Sequence, residues 1–133
     1  MTSISEQKQH LLKIAREAQQ KAYAPYSRFR VGAAVLLENG EIFTGCNVEN
    51  ASYGLTNCAE RSAIFAAVSK LGGANVKISA VAVVNDHDSP CSPCGACRQV
   101  IAEFGPKAVV WYQGKNGIEE STMEILLPEC FRL

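Results

Sequence analysis

Four side chains in two short segments have the types and spacing that metal-assisted chemistry requires. Cys58 and Glu60 are separated by one residue, and Pro93 precedes a Cys-x-x-Cys pair formed by Cys94 and Cys97. Each segment lies where a polar loop gives way to a helical pattern, and a helix N-terminus favours a thiolate over a thiol. Two such helix ends directed at one place would hold three thiolates, a ligand set that suits tetrahedral Zn²⁺.

A catalytic zinc site differs from a structural one in keeping a position open for water, and three protein ligands would leave that position free. Water bound there can ionise near pH 7. Glu60 follows Cys58 within one helical turn, so we expect it to exchange protons with that water without being a ligand. Arg61 and Arg98 each directly follow a motif. We predict that they offset the charge of three thiolates by hydrogen bonds to sulfur.

The same cysteines also allow a closed site without catalytic water. Cys91 lies three residues before Cys94 and could complete a four-cysteine zinc knuckle with Cys58 and Cys97. Iron–sulfur ligation is a variant of this idea, although the usual spacing of the fourth cysteine is absent. A Cys-x-Glu segment followed by Pro-Cys-x-x-Cys is typical of zinc-dependent deaminases, including those with three cysteine ligands, and this favours the open site.

Length and composition exclude several other functions. The 133 residues predict a single domain over 1–133. Lys plus Arg and Asp plus Glu each number 13, whereas proteins that bind nucleic acid carry a basic excess. No segment approaches the ~18 apolar residues of a membrane span, and the polar N-terminus is unlike a signal peptide. We therefore expect a soluble, cytoplasmic protein with reduced cysteines.

Four further residues of metal-binding type receive no functional role. Cys46 and Cys130 are interpreted as small buried apolar residues. His10 and His87 lie outside any motif, and we expect both to be solvated.

The helices that must position the candidate site follow from capping and periodicity. A capping box formed by Ser3 and Glu6 begins a first helix, which we predict to end near Ala24, before Pro25. Two more helices are predicted over about 58–71 and 94–104. A short last helix is predicted after Thr122 as its cap, ended by Pro128.

Apolar runs predict the strands between these helices. They lie over 31–37, 42–46, 78–84, 108–112 and 118–121. Asn39-Gly40 between the first two strands indicates a type I′ hairpin turn. The order αββαβαββα favours an α/β fold, a three-layer α/β/α sandwich with a five-stranded mixed sheet.

At these motifs the chain resembles the small, homotetrameric cytidine deaminases over almost its whole length. The resemblance rests on residues 26–34 (YSRFRVGAA), 45–51 (GCNVENA), 57–61 (NCAER), 92–99 (SPCGACRQ), and Leu126-Leu127-Pro128 with Phe131. It implies a cytidine deaminase-like fold with one Zn²⁺ per subunit on Cys58, Cys94 and Cys97. It also implies hydrolytic deamination of cytidine and 2′-deoxycytidine at C4, with Glu60 as the proton shuttle, in pyrimidine salvage.

The same resemblance implies how substrate is bound. The backbone N–H of Ala59 would bind the pyrimidine O2, Asn47 and Glu49 would hold the ribose 3′-hydroxyl, and Phe29 would pack against the base. Ala51, Tyr53 and Phe131 would reach the active site of a neighbouring subunit in the homotetramer.

Several alternatives remain open at this point. Asn47 and Glu49 could be loop-forming polar residues, and Phe29 and Tyr53 ordinary core or interface aromatics. A deaminase of another small substrate, such as blasticidin S, would carry similar zinc motifs. A non-enzymatic zinc-binding module would have no use for Glu60.

Overall fold

The computed structural model describes residues 3–133; Met1 and Thr2 of the polar N-terminus lie outside the described residues. The α-helices are α1 (Ile4–Gln19), α2 (Ala59–Leu71), α3 (Gly95–Phe104) and α4 (Met123–Leu126). The strands are β1 (Val31–Leu37), β2 (Ile42–Cys46), β3 (Ile78–Asn85), β4 (Val109–Gly114) and β5 (Gly117–Thr122). None of the helices within 3–133 is both long enough and apolar enough to cross a membrane.

The five strands form one mixed sheet in the order β2-β1-β3-β4-β5. Of these five strands, only β3 and β4 are parallel neighbours, and helix α3 connects them along the chain. Alternate residues face opposite sides of the sheet: Ala34 and Ala82 pack in the cluster under α1, whereas Val35 and Val83 pack in the cluster under α2 and α3. The predicted three-layer sandwich with a five-stranded mixed sheet is confirmed, and the strand boundaries agree within about two residues.

Strand direction explains where the two metal-binding motifs meet. β1 is antiparallel to both β2 and β3, so β2 and β3 run in the same direction. The connections that leave their carboxyl ends therefore emerge at the same end of the sheet. One connection leads to the N-terminus of α2 and the other to the N-terminus of α3.

The predicted capping box of Ser3 and Glu6 is present. Three other local predictions need correction: the end of α1, the cap of α4 and the type of turn between β1 and β2. Helix α1 ends at Gln19 and not near Ala24, because Tyr23 forms a bridge with Val48: the Tyr23 N–H donates to the carbonyl of Asn47 at 3.0 Å. This tertiary pairing withdraws the backbone from the helix before Pro25 is reached. Thr122 stands at the N-cap position of α4, but its side chain makes no capping hydrogen bond, and α4 ends at Leu126.

The hairpin between β1 and β2 is not of type I′, since that turn needs positive φ at both central residues and only Gly40 has it (φ +92°). The N–H of Gly40 donates to the carbonyl of Leu37 at 3.0 Å, and the N–H of Leu37 donates to the carbonyl of Glu41 at 2.9 Å. The loop therefore has three residues and ends in a left-handed glycine, with the Asn39 side chain bonded to the Glu41 N–H.

Gly45 of β2 sets how closely α2 can approach the sheet. A Cβ at this position would overlap backbone atoms of Ala59 and Ala63 in the first turns of α2. Those turns directly follow Cys58, so the close approach also sets the depth of the candidate site.

We expect Gly45→Ala to lower the free energy of unfolding by about 1–3 kcal/mol, because α2 must move away from β2 to admit the methyl group. Urea denaturation measures this loss. Gly54→Ala is the matched control, since a Cβ there meets no atom within 4 Å. Equal unfolding midpoints for the two variants would contradict the expectation.

Candidate metal centre

The three cysteines predicted as zinc ligands converge at the common end of β2 and β3. Cys58 is the N-cap residue of α2 and Cys94 is the N-cap residue of α3, and neither side chain caps its own helix. Cys97 lies in the first turn of α3 and is buried. The three sulfur atoms all lie within 4.8 Å of one another, and the sulfurs of Cys58 and Cys94 are 3.9 Å apart.

This spacing fits a single tetrahedral zinc ion. A Zn–S bond of about 2.3 Å places two sulfur ligands about 3.8 Å apart, close to the separation of Cys58 and Cys94. Within residues 3–133 the sulfur of Cys91 does not belong to this group, so the geometry does not support the four-cysteine alternative. Three sulfur donors would leave one position of a tetrahedral zinc ion for a further ligand, and one of the three cysteines, Cys94, is exposed.

The electrostatics of the cluster favour a thiolate on Cys58. Two interactions are the main causes that lower the pKa of Cys58 to about 5. The first is a hydrogen bond donated by the Cys97 thiol, and the second is made by the Arg61 guanidinium, whose Nη2 lies 3.2 Å from the Cys58 sulfur. The first interaction raises the pKa of Cys97, which keeps the shared proton. Burial, reinforced by the charges of Glu60 and Cys58, also raises the pKa of Cys91.

Glu60 is a buried carboxyl group beside the three sulfurs. It is 4% exposed, and burial is the main cause that raises its pKa to about 7. A carboxyl group with a pKa near the ambient pH can both accept and donate a proton, as a general acid–base catalyst must.

The two arginines that follow the motifs have different partners. Arg61 donates to the sulfur of Cys58 as expected, and its Nε is buried without a partner among the described residues. The expected bond from Arg98 to sulfur is not formed. Its guanidinium donates to the carbonyls of Pro93 at 2.7 Å and Leu126 at 3.0 Å, and to the Ser92 hydroxyl at 3.0 Å. Arg98 therefore ties the segment before Cys94 to the end of α4.

Arg61→Gln is expected to weaken zinc binding about 10-fold, because the thiolate of Cys58 loses a charged hydrogen-bond donor. Competition with a chelator of known affinity measures the change. Arg16→Gln, on the exposed face of α1, is the control. If Arg61→Gln left both the zinc affinity and the pH dependence of activity unchanged, the arginine would not stabilise the thiolate.

Asn47, Glu49 and Phe29 belong to one hydrogen-bonded network. The Asn47 side chain accepts from the N–H of Val31 and donates to the carbonyl of Phe29, both at 2.8 Å. Glu49 accepts the N–H groups of Tyr26 at 2.9 Å and Ser27 at 3.2 Å. The Ser27 hydroxyl, which also donates to Glu49, is the main cause that holds the pKa of this carboxylate below its usual value. The side chains of Asn47 and Glu49, both predicted to contact substrate, thus shape the segment before β1 in which Phe29 lies.

The remaining predicted substrate contacts lie at a helix start or on the surface. Ala59 is the first residue of α2, where backbone N–H groups have no partner within the helix. Ala51, Tyr53 and Phe131 are exposed, Tyr53 to 83% and Phe131 to 69%. Tyr53 and Glu49 line one cavity of about 200 Å³. The C-terminal segment is held near α3 by a hydrogen bond from the Gln99 side chain to the Phe131 carbonyl at 3.2 Å.

Residues 5–113 match the family described as the cytidine and deoxycytidylate deaminase zinc-binding region. The chain belongs to this deaminase family. It is 53% identical over 123 residues to a cytidine deaminase of Sporosarcina psychrophila, covering 91% of this chain and 88% of that protein. The crystal structure of a cytidine deaminase from Burkholderia pseudomallei superposes with a TM-score of 0.85 at 44% identity, covering 98% of this chain and all of that one.

A more distant relative in the comparison is the blasticidin-S deaminase of Bacillus cereus. It is 31% identical over 133 residues, covering 95% of this chain and 93% of that protein. The family, the α/β fold, the zinc cofactor and the hydrolytic deaminase class predicted from the residues are confirmed by these matches together with the three-cysteine cluster.

Sequence reasoning about this deaminase missed two residues. The Ser27 hydroxyl donates to the Glu49 carboxylate, and its oxygen accepts the N–H of Phe29 at 3.0 Å. Its position two residues before Phe29 is a signal for such a local turn. His87 is exposed, as expected, but is also hydrogen-bonded to backbone. Cys46 and Cys130 are half-buried and not buried.

Proposed function

We propose that this deaminase catalyses the hydrolytic deamination of cytidine and 2′-deoxycytidine, which yields uridine and 2′-deoxyuridine with release of ammonia. The observation that carries the proposal is the convergence of three cysteine sulfurs and the buried carboxyl group of Glu60 at the starts of α2 and α3. The high identity to a cytidine deaminase over most of both chains supports the same substrate class.

In this proposal Cys58, Cys94 and Cys97 hold one Zn²⁺ per subunit, which when bound lowers the pKa of water and acts as a Lewis acid. Glu60 takes a proton from the attacking water and delivers it to N3 of the pyrimidine. It then transfers the second proton of that water to the leaving amine, so C4 gains oxygen and loses ammonia. Its burial keeps the proton affinity of the carboxyl close to the value that both transfers need.

The substrate contacts form the second part of the proposal. The N–H of Ala59 donates to the pyrimidine O2, as the free donors of a helix start allow. Asn47 keeps a second N–H beyond its bond to the Phe29 carbonyl, and Glu49 keeps further acceptor capacity for the ribose 3′-hydroxyl. Phe29 packs against the base.

We also propose that the enzyme is a homotetramer in which Ala51, Tyr53 and Phe131 reach a neighbouring subunit's site. Large apolar side chains on the surface, among them Tyr53, Ile125 and Phe131, support such burial between subunits. Light scattering measures the assembly. A variant that is monomeric should keep its zinc and lose activity, and an active monomer would contradict shared sites.

The setting proposed with this activity is pyrimidine salvage in the cytoplasm, by one domain over 1–133. The cysteines of the chain are free, as a reducing compartment allows. A single sheet that includes strands from residue 31 to residue 122 supports one domain.

Deamination of blasticidin S is the second candidate function, because a blasticidin-S deaminase matches most of the chain. A spectrophotometric assay with cytidine, 2′-deoxycytidine, CMP, cytosine and blasticidin S distinguishes the two. We expect loss of absorbance with the two nucleosides. Turnover of blasticidin S alone would establish the second candidate, and turnover of none would contradict both.

A further inference from the structure

The loop between β3 and α3 carries a histidine to which the proposed chemistry assigns no role. Nε2 of His87 lies 2.9 Å from the carbonyl oxygen of Arg28. A carbonyl oxygen only accepts, so the hydrogen bond requires the proton on Nε2. The imidazole also lies against the ring of Phe29, with centroids 5.2 Å apart and planes inclined by 60°. One side chain therefore contacts both the backbone before Phe29 and its ring.

The loop holds His87 in this position through a buried asparagine. Asn85, at the end of β3, is 5% exposed, and its side-chain oxygen accepts the N–H groups of His87 at 3.0 Å and Ser89 at 3.1 Å. Its amide nitrogen donates to the carbonyl of Ser89 at 2.8 Å. The neighbouring Asp86 accepts both the backbone N–H and the side-chain Nε of Arg30 at 3.0 Å. The loop is thus fastened to the segment that carries Phe29.

The backbone that accepts the histidine bond is strained. Arg28 has φ +59°, a region that costs a residue with a Cβ free energy unless its surroundings hold it there. The N–H of Arg28 donates to the carbonyl of Ala24 at 3.0 Å, and its carbonyl receives the bond from His87. Together these bonds set the orientation of the peptide that leads into Phe29.

We propose that His87 is a positioning residue for Phe29, which sets the pose of this ring in the pyrimidine pocket and thereby the affinity for the nucleoside. The inference rests on the proposed function, in which Phe29 packs against the base. Because the histidine touches neither the sulfur cluster nor Glu60 in the contacts described, its effect is expected on substrate binding and not on the chemical step.

Nε2 of His87 also lies 3.4 Å from Oδ1 of Asp86. Three substitutions separate the contact of the side chain with the Arg28 carbonyl from its contact with the Phe29 ring. His87→Ala removes both, His87→Phe keeps a ring against Phe29 without the donor, and His87→Gln keeps a donor without the ring. We expect His87→Ala to raise KM for cytidine and Kd for uridine about 3- to 10-fold, with intermediate values for the other two variants. We expect kcat to stay within about twofold and zinc per subunit to be unchanged. His10→Ala, on the exposed face of α1, is the control.

The outcomes separate this inference from the proposed function. Unchanged KM and Kd in His87→Ala would overturn it, and so would a parallel fall in kcat and zinc content, which indicates a general loop defect. If the wild-type enzyme does not deaminate cytidine, the proposed function fails. The placement of Phe29 is then judged by the NMR shifts of its ring protons in the free protein. Those shifts should change in His87→Ala and not in His10→Ala; unchanged shifts in both would overturn the inference.

Discussion

Glu60→Gln is expected to lower kcat for cytidine by about 10²–10⁴-fold while one zinc ion per subunit remains. The carboxyl group is buried beside the sulfur cluster, and burial raises its pKa to about 7, a value that suits both the uptake and the release of a proton. Glutamine has nearly the same shape and cannot carry that proton. Steady-state turnover and zinc content, measured on the same preparation, test this prediction.

The control for this variant is Glu103→Gln, which removes an exposed carboxylate from α3. It should retain wild-type kcat, because no reacting group depends on it. If Glu60→Gln kept more than about a tenth of wild-type turnover, Glu60 would not be the proton shuttle. If neither variant nor the wild-type chain turned over any nucleoside or blasticidin S, a zinc-binding module without activity would be the better interpretation.

Cys97→Ser is expected to abolish both zinc retention and turnover. Cys97 is buried and contributes one of the three sulfurs, so its loss should weaken zinc binding by more than the about 10–100-fold that outer hydrogen-bonding partners contribute. Metal analysis after dialysis against a chelator measures retention. In thermal unfolding, added zinc should raise the Tm of Cys97→Ser by less than it raises the Tm of the wild type, because bound metal stabilises only the folded state.

Cys91→Ser provides the matched comparison, since it changes a nearby cysteine by the same single atom. Its sulfur lies outside the cluster, so we expect full zinc content and turnover close to wild type. Equal loss of zinc in Cys91→Ser and Cys97→Ser would instead identify a closed four-cysteine site.

Much of the candidate site could be predicted because its signals are local. A cysteine directly before a helical pattern stands at the N-cap, and Cys58 and Cys94 both lie there. Glu60 is fixed in the first turn of α2 by its distance along the chain from Cys58. The alternation and length of apolar runs likewise predicted β1 and β2 with the boundaries that the structure has.

Other features could not be predicted because their partners are distant in the chain. The end of α1 depends on a bridge between Tyr23 and Val48, which the residues near Gln19 do not predict. The arginine of one motif, Arg61, donates to sulfur, whereas that of the other, Arg98, is taken up by the carbonyl of Leu126 in α4. Each arginine directly follows its motif, and the packing of the chain decides which of them reaches a sulfur.

The residue types and spacing of two short segments are enough to predict the proposed chemistry: three cysteine ligands, one carboxyl group and the helix starts that carry them. This is because ligand type and capping depend on a few adjacent residues. Which of these groups meet depends instead on how the whole chain packs. The common direction of β2 and β3 brings the three sulfurs within 4.8 Å, and the loop after β3 places His87 against Phe29 from 58 positions away in the chain. Such contacts depend on the pairing of strands, which is set by burial over the whole sheet and not by any one segment.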